Sequence, residues 1–238
     1  MNRGLQRVYA QIAPKYELVN HLLTLGLDIR WRRAAARQAA QAGGLRWLDV
    51  CCGTGEMALD LKRRAGAEVR IFGADFSLPM LERARAKPAA SEISFVCTQA
   101  DALPFADESF DLLTIAFAAR NLNTTRDALV SCFRELARVL KPGGWFVNVE
   151  TSQPPSRLIR TLYKTYVGLF VQQLGKLVSG HEPGYGYLAS SIAGFYDADE
   201  LASLLRQAGF AEVTYRRMLF GAVAVHKSVK TPGESAWV

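Results

Sequence analysis

The chain has 238 residues, half of them hydrophobic and 21% charged, which is enough to bury one full α/β core and too apolar for a disordered chain. Its formal charge of +7 is dispersed, and the densest basic group (Arg30, Arg32, Arg33, Arg37) lacks interleaved aromatics, so nucleic acid is not an expected partner. Four cysteines, two of them adjacent, form neither a disulfide framework nor a CxxC metal site, and no apolar run reaches about 18 residues; a cytoplasmic protein with no metal is expected.

Residues 3–40 read as helical. Leu5, Val8, Tyr9 and Ile12 repeat at helical spacing until Pro14, a second apolar set (Tyr16, Val19, Leu22, Leu23) stops at Gly26, and an Ala-rich helix opening at Trp31 ends at Gly43-Gly44. From Leu45 the pattern alternates. Strands are expected at Arg46–Val50, Val69–Ala74, Ile93–Thr98, Leu112–Phe117 and Trp145–Glu150, with helices at Met57–Arg64, Leu78–Lys87 and Thr125–Leu140 between them. That order predicts a parallel sheet covered by helices on both faces. After Pro154-Pro155, a long helix over 156–179 carries Leu158, Leu162, Tyr166, Phe170, Leu174 and Leu177 on one face. A helix at 199–208 follows, then strands at Val213–Tyr215 and Phe220–His226 that pair antiparallel for want of a helix between them. One domain is expected, divided into a helical cap (1–44), a cofactor-binding core (45–150), an acceptor-side part (151–230) and a flexible tail (231–238).

The sharpest local feature is Asp49-Val50-Cys51-Cys52-Gly53-Thr54-Gly55-Glu56, a glycine turn leading from a buried strand into a helix. Gly53 and Gly55 let the backbone pass close to a ligand. Asp75, with Phe76 beside it, ends the second strand, where an acid can hold both hydroxyls of a ribose. Gly53 to Ala58 also fits the dinucleotide fingerprint G-x-G-x-x-A, and a purely structural turn is a third reading. Asp101 and Ala102 after the third strand suit an adenine edge. The ordered set runs on through Leu103-Pro104-Phe105, Ser109-Phe110-Asp111, Phe133 to Leu136 and Leu140 to Gly144. This succession resembles class I S-adenosylmethionine-dependent methyltransferases. The resemblance implies a Rossmann-like fold with a mainly parallel seven-stranded sheet and an antiparallel C-terminal strand.

A narrower resemblance covers residues 8 to 230. Ile12 to Asn20, continued through Leu25-Gly26 to Arg33, is similar to the opening signature of the ubiquinone and menaquinone biosynthesis C-methyltransferases. Phe117-Ala118-Ala119-Arg120-Asn121 matches their F-G-L-R-N segment, and Tyr187 to Ile192 and Gly221 to Lys227 match their C-terminal signatures. Cys51-Cys52 stands where many members have Ala-Gly, and Ala116 where some carry serine. The resemblance implies S-adenosylmethionine as cofactor, a prenylated quinol as substrate and peripheral contact with the inner membrane face; a homodimer is expected from the base rates of oligomers alone.

In that setting Asp49 either shapes the glycine loop or contacts the cofactor's amino group. Arg120 would stabilise a quinol oxyanion and Asn121 hold a proton-relaying water; the alternatives are an ion pair with a helix acid and a turn cap. Tyr16, Phe117 and His226 would line the acceptor pocket, against packed-aromatic and structural-histidine readings. The 156–179 helix would wall a tail channel, rest on a bilayer, or pack in the core. Methylation of another small hydrophobic acceptor, or a non-catalytic cofactor-binding scaffold, are the competing functions.

Overall fold

A computed structural model describes residues 16–171 and 182–231. Two helices come first, α1 (Tyr16–Thr24) and α2 (Leu27–Ala39). The sheet is then laid down by alternation: β1 (Arg46–Val50), α3 (Glu56–Lys62), β2 (Arg70–Asp75), α4 (Leu78–Arg85), β3 (Ile93–Cys97) and β4 (Phe110–Ala116). Next come α5 (Ala119–Leu122), α6 (Arg126–Val139), β5 (Leu140–Thr151), α7 (Arg157–Tyr166), α8 (Glu182–Ala193), α9 (Ala198–Gln207), β6 (Phe210–Met218) and β7 (Val223–Lys230). The seven strands are ordered β3-β2-β1-β4-β5-β7-β6; β1 to β5 run parallel, and β7 lies antiparallel between β5 and β6.

Alternation along the central strands divides the core. Leu48, Val50, Leu113 and Ile115 face Phe133 and Leu136 of α6 and Leu201 and Leu205 of α9. Trp47, Leu112, Val147 and Val149 face Met57 and Leu61 of α3 and Ala35, Ala36 and Ala39 of α2. Four of the five β1 residues are buried, as a strand covered on both sides requires. The alanines of α2 have no bulk, so the helix lies close on β5 and α3. Thr125 caps α6 through Ala128 N–H, and Asp197 with Glu200 forms a capping box on α9.

Among the boundaries that differ from the sequence expectation, three bear on the site. Helix α2 opens at Leu27, directly after Gly26 in the left-handed region, and not at Trp31. Phe220 belongs to a turn, not a strand, because Leu219, Phe220 and Gly221 all take positive φ and reverse the chain. Of the 156–179 helix, residues 172–179 lie outside the described part; within it no residue of α7 is buried, and past Tyr166 the chain loosens into a π-helical turn at Val167–Val171, of which Val167 is buried. Residues 1–15, with the start of the opening signature, and 172–181 lie outside the described residues. Among the described residues no helix is long and apolar enough to cross a membrane.

Candidate active site

The strand order reverses between β1 and β4, and an open parallel sheet binds its ligands in the crevice at such a point. A cavity of about 320 Å³ sits there. Cys51 to Thr54, after β1, form its floor, and Asp75 and Phe76, after β2, one side. Phe117, Arg120 and Asn121, after β4, form the other. Tyr16, Asn20, Trp31 and Arg32 of the N-terminal helices cover it, and Tyr163 and Tyr166 of α7 close the far end. Trp31 and Phe117 pack at 6.3 Å between ring centres.

The floor is built for close approach. Cys51, Gly53 and Gly55 all take positive φ, so the loop folds back beneath the cavity. A Cβ on Gly53 would meet nothing within 4 Å, which leaves open space above the loop for a ligand. Gly55 has a different reason: a Cβ there would come within 3.0 Å of Ala84, so this glycine serves the packing of α4 and does not line the cavity. The thiols of Cys51 and Cys52 are pushed well up by burial, which keeps them protonated and inert.

Asp75 accepts from Gly53 N–H and Ser77 N–H, both at 2.8 Å. Burial raises its carboxyl, and those amides hold it down. Asp49 is buried on β1; Thr114 Oγ1 donates to its Oδ1 at 2.7 Å, while Oδ2 has no partner. The anchored acid on β2 and the open space over Gly53 fit a group with vicinal hydroxyls, as S-adenosylmethionine has. Arg120 is buried, and its Nη1 donates to Glu150 Oε1 and to the Phe117 carbonyl, each at 2.7 Å. Its counter-ion is thus a strand acid, not the helix acid of the alternative reading. Burial raises the Tyr16 hydroxyl, and the charges of Arg120 and Arg32 draw it back.

Not every expected residue reaches the cavity. Asp49 lies behind its floor, and Asp101 and Ala102 are exposed beyond β3. His226 is buried on β7, its Nε2–H donating to the Ala198 carbonyl at 2.9 Å; the geometry supports the structural-histidine reading. Sequence reasoning also passed over Asp28, Glu56 and Tyr163, and had Tyr166 only as part of the apolar face of the 156–179 helix. Arg32 joins Asp28 at 3.4 Å and Glu56 at 3.2 Å, and His21 joins Asp28 at 2.8 Å, which ties α1 and α2 to the first turn of α3. The i,i+4 spacing of Asp28 and Arg32 was the available signal. Glu17, His21 and Glu56 stand close enough to share a cation, but Lys87 pairs with Glu17 at 2.6 Å and Arg32 with Glu56.

Asp49 and His226 give the fold opposed pH dependences. Burial pushes Asp49 from 3.8 up to about 7, so the folded chain binds that proton more tightly, a stabilisation lost as pH rises from about 4 through about 7. Burial pulls His226 from 6.5 down to about 4, so the folded chain loses stability as pH falls from about 6.5 to about 4. Urea unfolding across this range is expected to show Asp49→Asn gaining on the parent as pH rises, and His226→Gln gaining as it falls. Difference curves without slope would contradict both assignments.

The chain matches the model of the ubiE/COQ5 methyltransferase family over residues 1–230. It is 43% identical to a demethylmenaquinone methyltransferase of Thermus thermophilus over 222 residues, covering 92% of this chain and 98% of that one. A Deinococcus radiodurans protein of the same name is 40% identical, covering 92% and 89%. A ubiquinone/menaquinone biosynthesis C-methyltransferase of Desulfotalea psychrophila is 35% identical, covering 95% and 90%. Among solved structures, an S-adenosylmethionine-dependent methyltransferase of Thermotoga maritima shares the fold at a TM-score of 0.63 and 21% identity, covering 95% of this chain and all of that one. The glycine loop, the acid on β2 and the match along the chain together place this protein in the ubiE/COQ5 family of S-adenosylmethionine-dependent methyltransferases.

Proposed function

We propose that this enzyme methylates a ring carbon of a prenylated quinol, with demethylmenaquinol as the favoured acceptor. The observation that carries the reading is Arg120, a guanidinium held by Glu150 on the wall of an aromatic-lined cavity across from the glycine loop. The Thermus and Deinococcus relatives, named for demethylmenaquinone, support the naphthoquinol ring.

S-adenosylmethionine, when bound, supplies a methyl group already activated by its sulfonium. Asp75 would take the ribose hydroxyls and Gly53 and Thr54 the side facing the backbone; Asp101 and Ala102, outside the cavity lining, would meet only an adenine edge that reaches past β3, and Asp49, behind the floor, shapes the glycine loop. The acceptor carbon must be made nucleophilic. A phenolic hydroxyl ionises near about 10 in water, and a fixed guanidinium beside it favours the oxyanion, raising electron density at the adjacent carbon. Arg120 holds that oxyanion and Asn121 the water that takes its proton. As the ring carbon bonds to the methyl carbon, the methyl–sulfur bond would break with its electron pair left on sulfur; the ring hydrogen leaves as a proton to solvent, and the oxyanion held by Arg120 regains a proton to give the methylated quinol. Tyr16, Trp31, Phe117 and Tyr163 align the ring and exclude water, so that positioning lowers much of the barrier.

The deciding assay supplies labelled S-adenosylmethionine with reduced demethylmenaquinone and with demethylated ubiquinol precursors, and locates the label by mass. Label on the naphthoquinol ring carbon is the expected result. Label only on the benzoquinol would change the substrate, and transfer only to a tail-less phenol would move the enzyme to another class of hydrophobic acceptor.

A further inference from the structure

Helix α7 and the turn after it send three side chains into the far end of the cavity, Tyr163, Tyr166 and Val167, which share one face at spacings i, i+3 and i+4. Val167 is apolar and buried, and the Tyr166 hydroxyl already donates to the Leu23 carbonyl. Tyr163 differs from both. Its side chain is half-buried at the cavity end, and its hydroxyl has no hydrogen-bond partner among the described residues. Nor is that oxygen sealed in protein, as the unpartnered hydroxyls of Ser77 and Ser152 are. A hydroxyl kept in an aromatic-lined enclosure without a partner is costly unless a ligand accepts from it.

The surrounding charges locate this hydroxyl. Arg120 of α5 and Glu150 of β5 both act on it, and Tyr166 is the other titratable group that bears on it. Arg32 acts on Tyr16, on the covering helices, and not on Tyr163. The Tyr163 hydroxyl therefore stands on the Arg120 side of the cavity. Burial pushes it up, so it keeps its proton and can donate but not abstract. Arg120, for its part, has Nη1 committed to Glu150 and to the Phe117 carbonyl. An oxyanion developing beside it gains from a donor on a second wall.

From this arrangement we infer that Tyr163 is a further catalytic residue, its hydroxyl donating to the same acceptor oxygen that Arg120 holds, so that α5 and α7 together form an oxyanion hole. The inference rests on the phenolic acceptor proposed above. Tyr163 keeps its O–H bond throughout, while the proton of the acceptor oxygen passes to the water held by Asn121. A second donor lowers the pH at which the bound acceptor ionises. The test compares Tyr163→Phe with the parent; the ring stays and no internal hydrogen bond is lost, so Tm is expected to match. One measurement titrates 4-nitrophenol, whose anion is coloured, in complex with each enzyme. The parent is expected to lower the ionisation midpoint of the bound phenol below its value in water, and Tyr163→Phe to raise it by about one pH unit from the parent's, the equivalent of a tenfold change. The other follows methylation of reduced demethylmenaquinone against pH. Tyr163→Phe should fall about tenfold below the parent at neutral pH and close the gap as pH rises past the ionisation of the bound acceptor. A residue that only packed would lower turnover equally at every pH and leave the phenol midpoint unmoved. A midpoint equal to the parent's, or a deficit that does not change with pH, overturns the inference. A Tyr163-dependent midpoint in an enzyme that methylates no quinol would uphold the donor and remove the proposed acceptor.

Discussion

Replacing Asp75 with Asn is expected to weaken S-adenosylmethionine binding about a hundredfold or more, measured by calorimetric titration of the ligand-free enzyme. Two hydrogen bonds from the ribose hydroxyls to a charged carboxylate contribute about 1.5–3 kcal/mol each, and every 1.4 kcal/mol is about tenfold in affinity. A second effect acts in the same direction. Asp75 presents one oxygen to Gly53 N–H and the other to Ser77 N–H. The carboxamide turns a donor toward one of these amides, and the glycine loop loses a support. Thermal unfolding without ligand separates the two: a small drop in Tm with a large loss of affinity is the expected pattern. Affinity within about threefold of the parent would reduce Asp75 to a brace for the loop.

The second large effect is at Arg120. Arg120→Ala should leave cofactor affinity near the parent value and lower kcat about a hundredfold to a thousandfold, the usual scale for losing a donor to a developing oxyanion. It should also destabilise the fold by about 3–5 kcal/mol, since Glu150 is left as a buried charge without its partner. A fall in activity alone would therefore be ambiguous. Arg120→Met/Glu150→Gln removes both charges while keeping an acceptor for Thr151 N–H, which Glu150 holds at 2.8 Å. This pair is expected to recover most of the stability and none of the turnover. Recovery of both would make the ion pair structural and take the oxyanion role from Arg120.

Much of this was legible in the sequence because it rests on local chemistry. β1 was placed to the residue, since its apolar run has Gly44 before it and the glycine loop after it. The antiparallel ending followed from the absence of a helix between the last two strands. Gly55 and His226 were harder for a shared reason. What each touches is set by elements far away in the chain: Ala84 for the glycine, Ala198 for the histidine. α7 misled in another way. Its apolar spacing is that of a core helix, and the sequence does not record that its leucines stay uncovered while Tyr163 and Tyr166 turn to the cavity. Of the network of Asp28, Arg32, His21 and Glu56 the sequence offers only the i,i+4 pair, because the rest joins three helices through side chains common on any surface.

The insertion of β7 between β5 and β6 has a consequence for how the chain is made. β7 is the last of these seven strands to be synthesised and yet an interior one, pairing with β5 from Trp145 to Thr151 and with β6 from Phe210 to Met218. Until residues 223–230 emerge, a growing chain carries β5 with one row of backbone donors and acceptors unmatched and Val149 without its cross-strand neighbour Val225. An unmatched apolar strand of that kind pairs readily with another chain. Synthesis that stalls before Val223 therefore leaves an aggregation-prone intermediate, and completing the sheet waits on contacts more than 70 residues apart in sequence, between Thr151 and Val223.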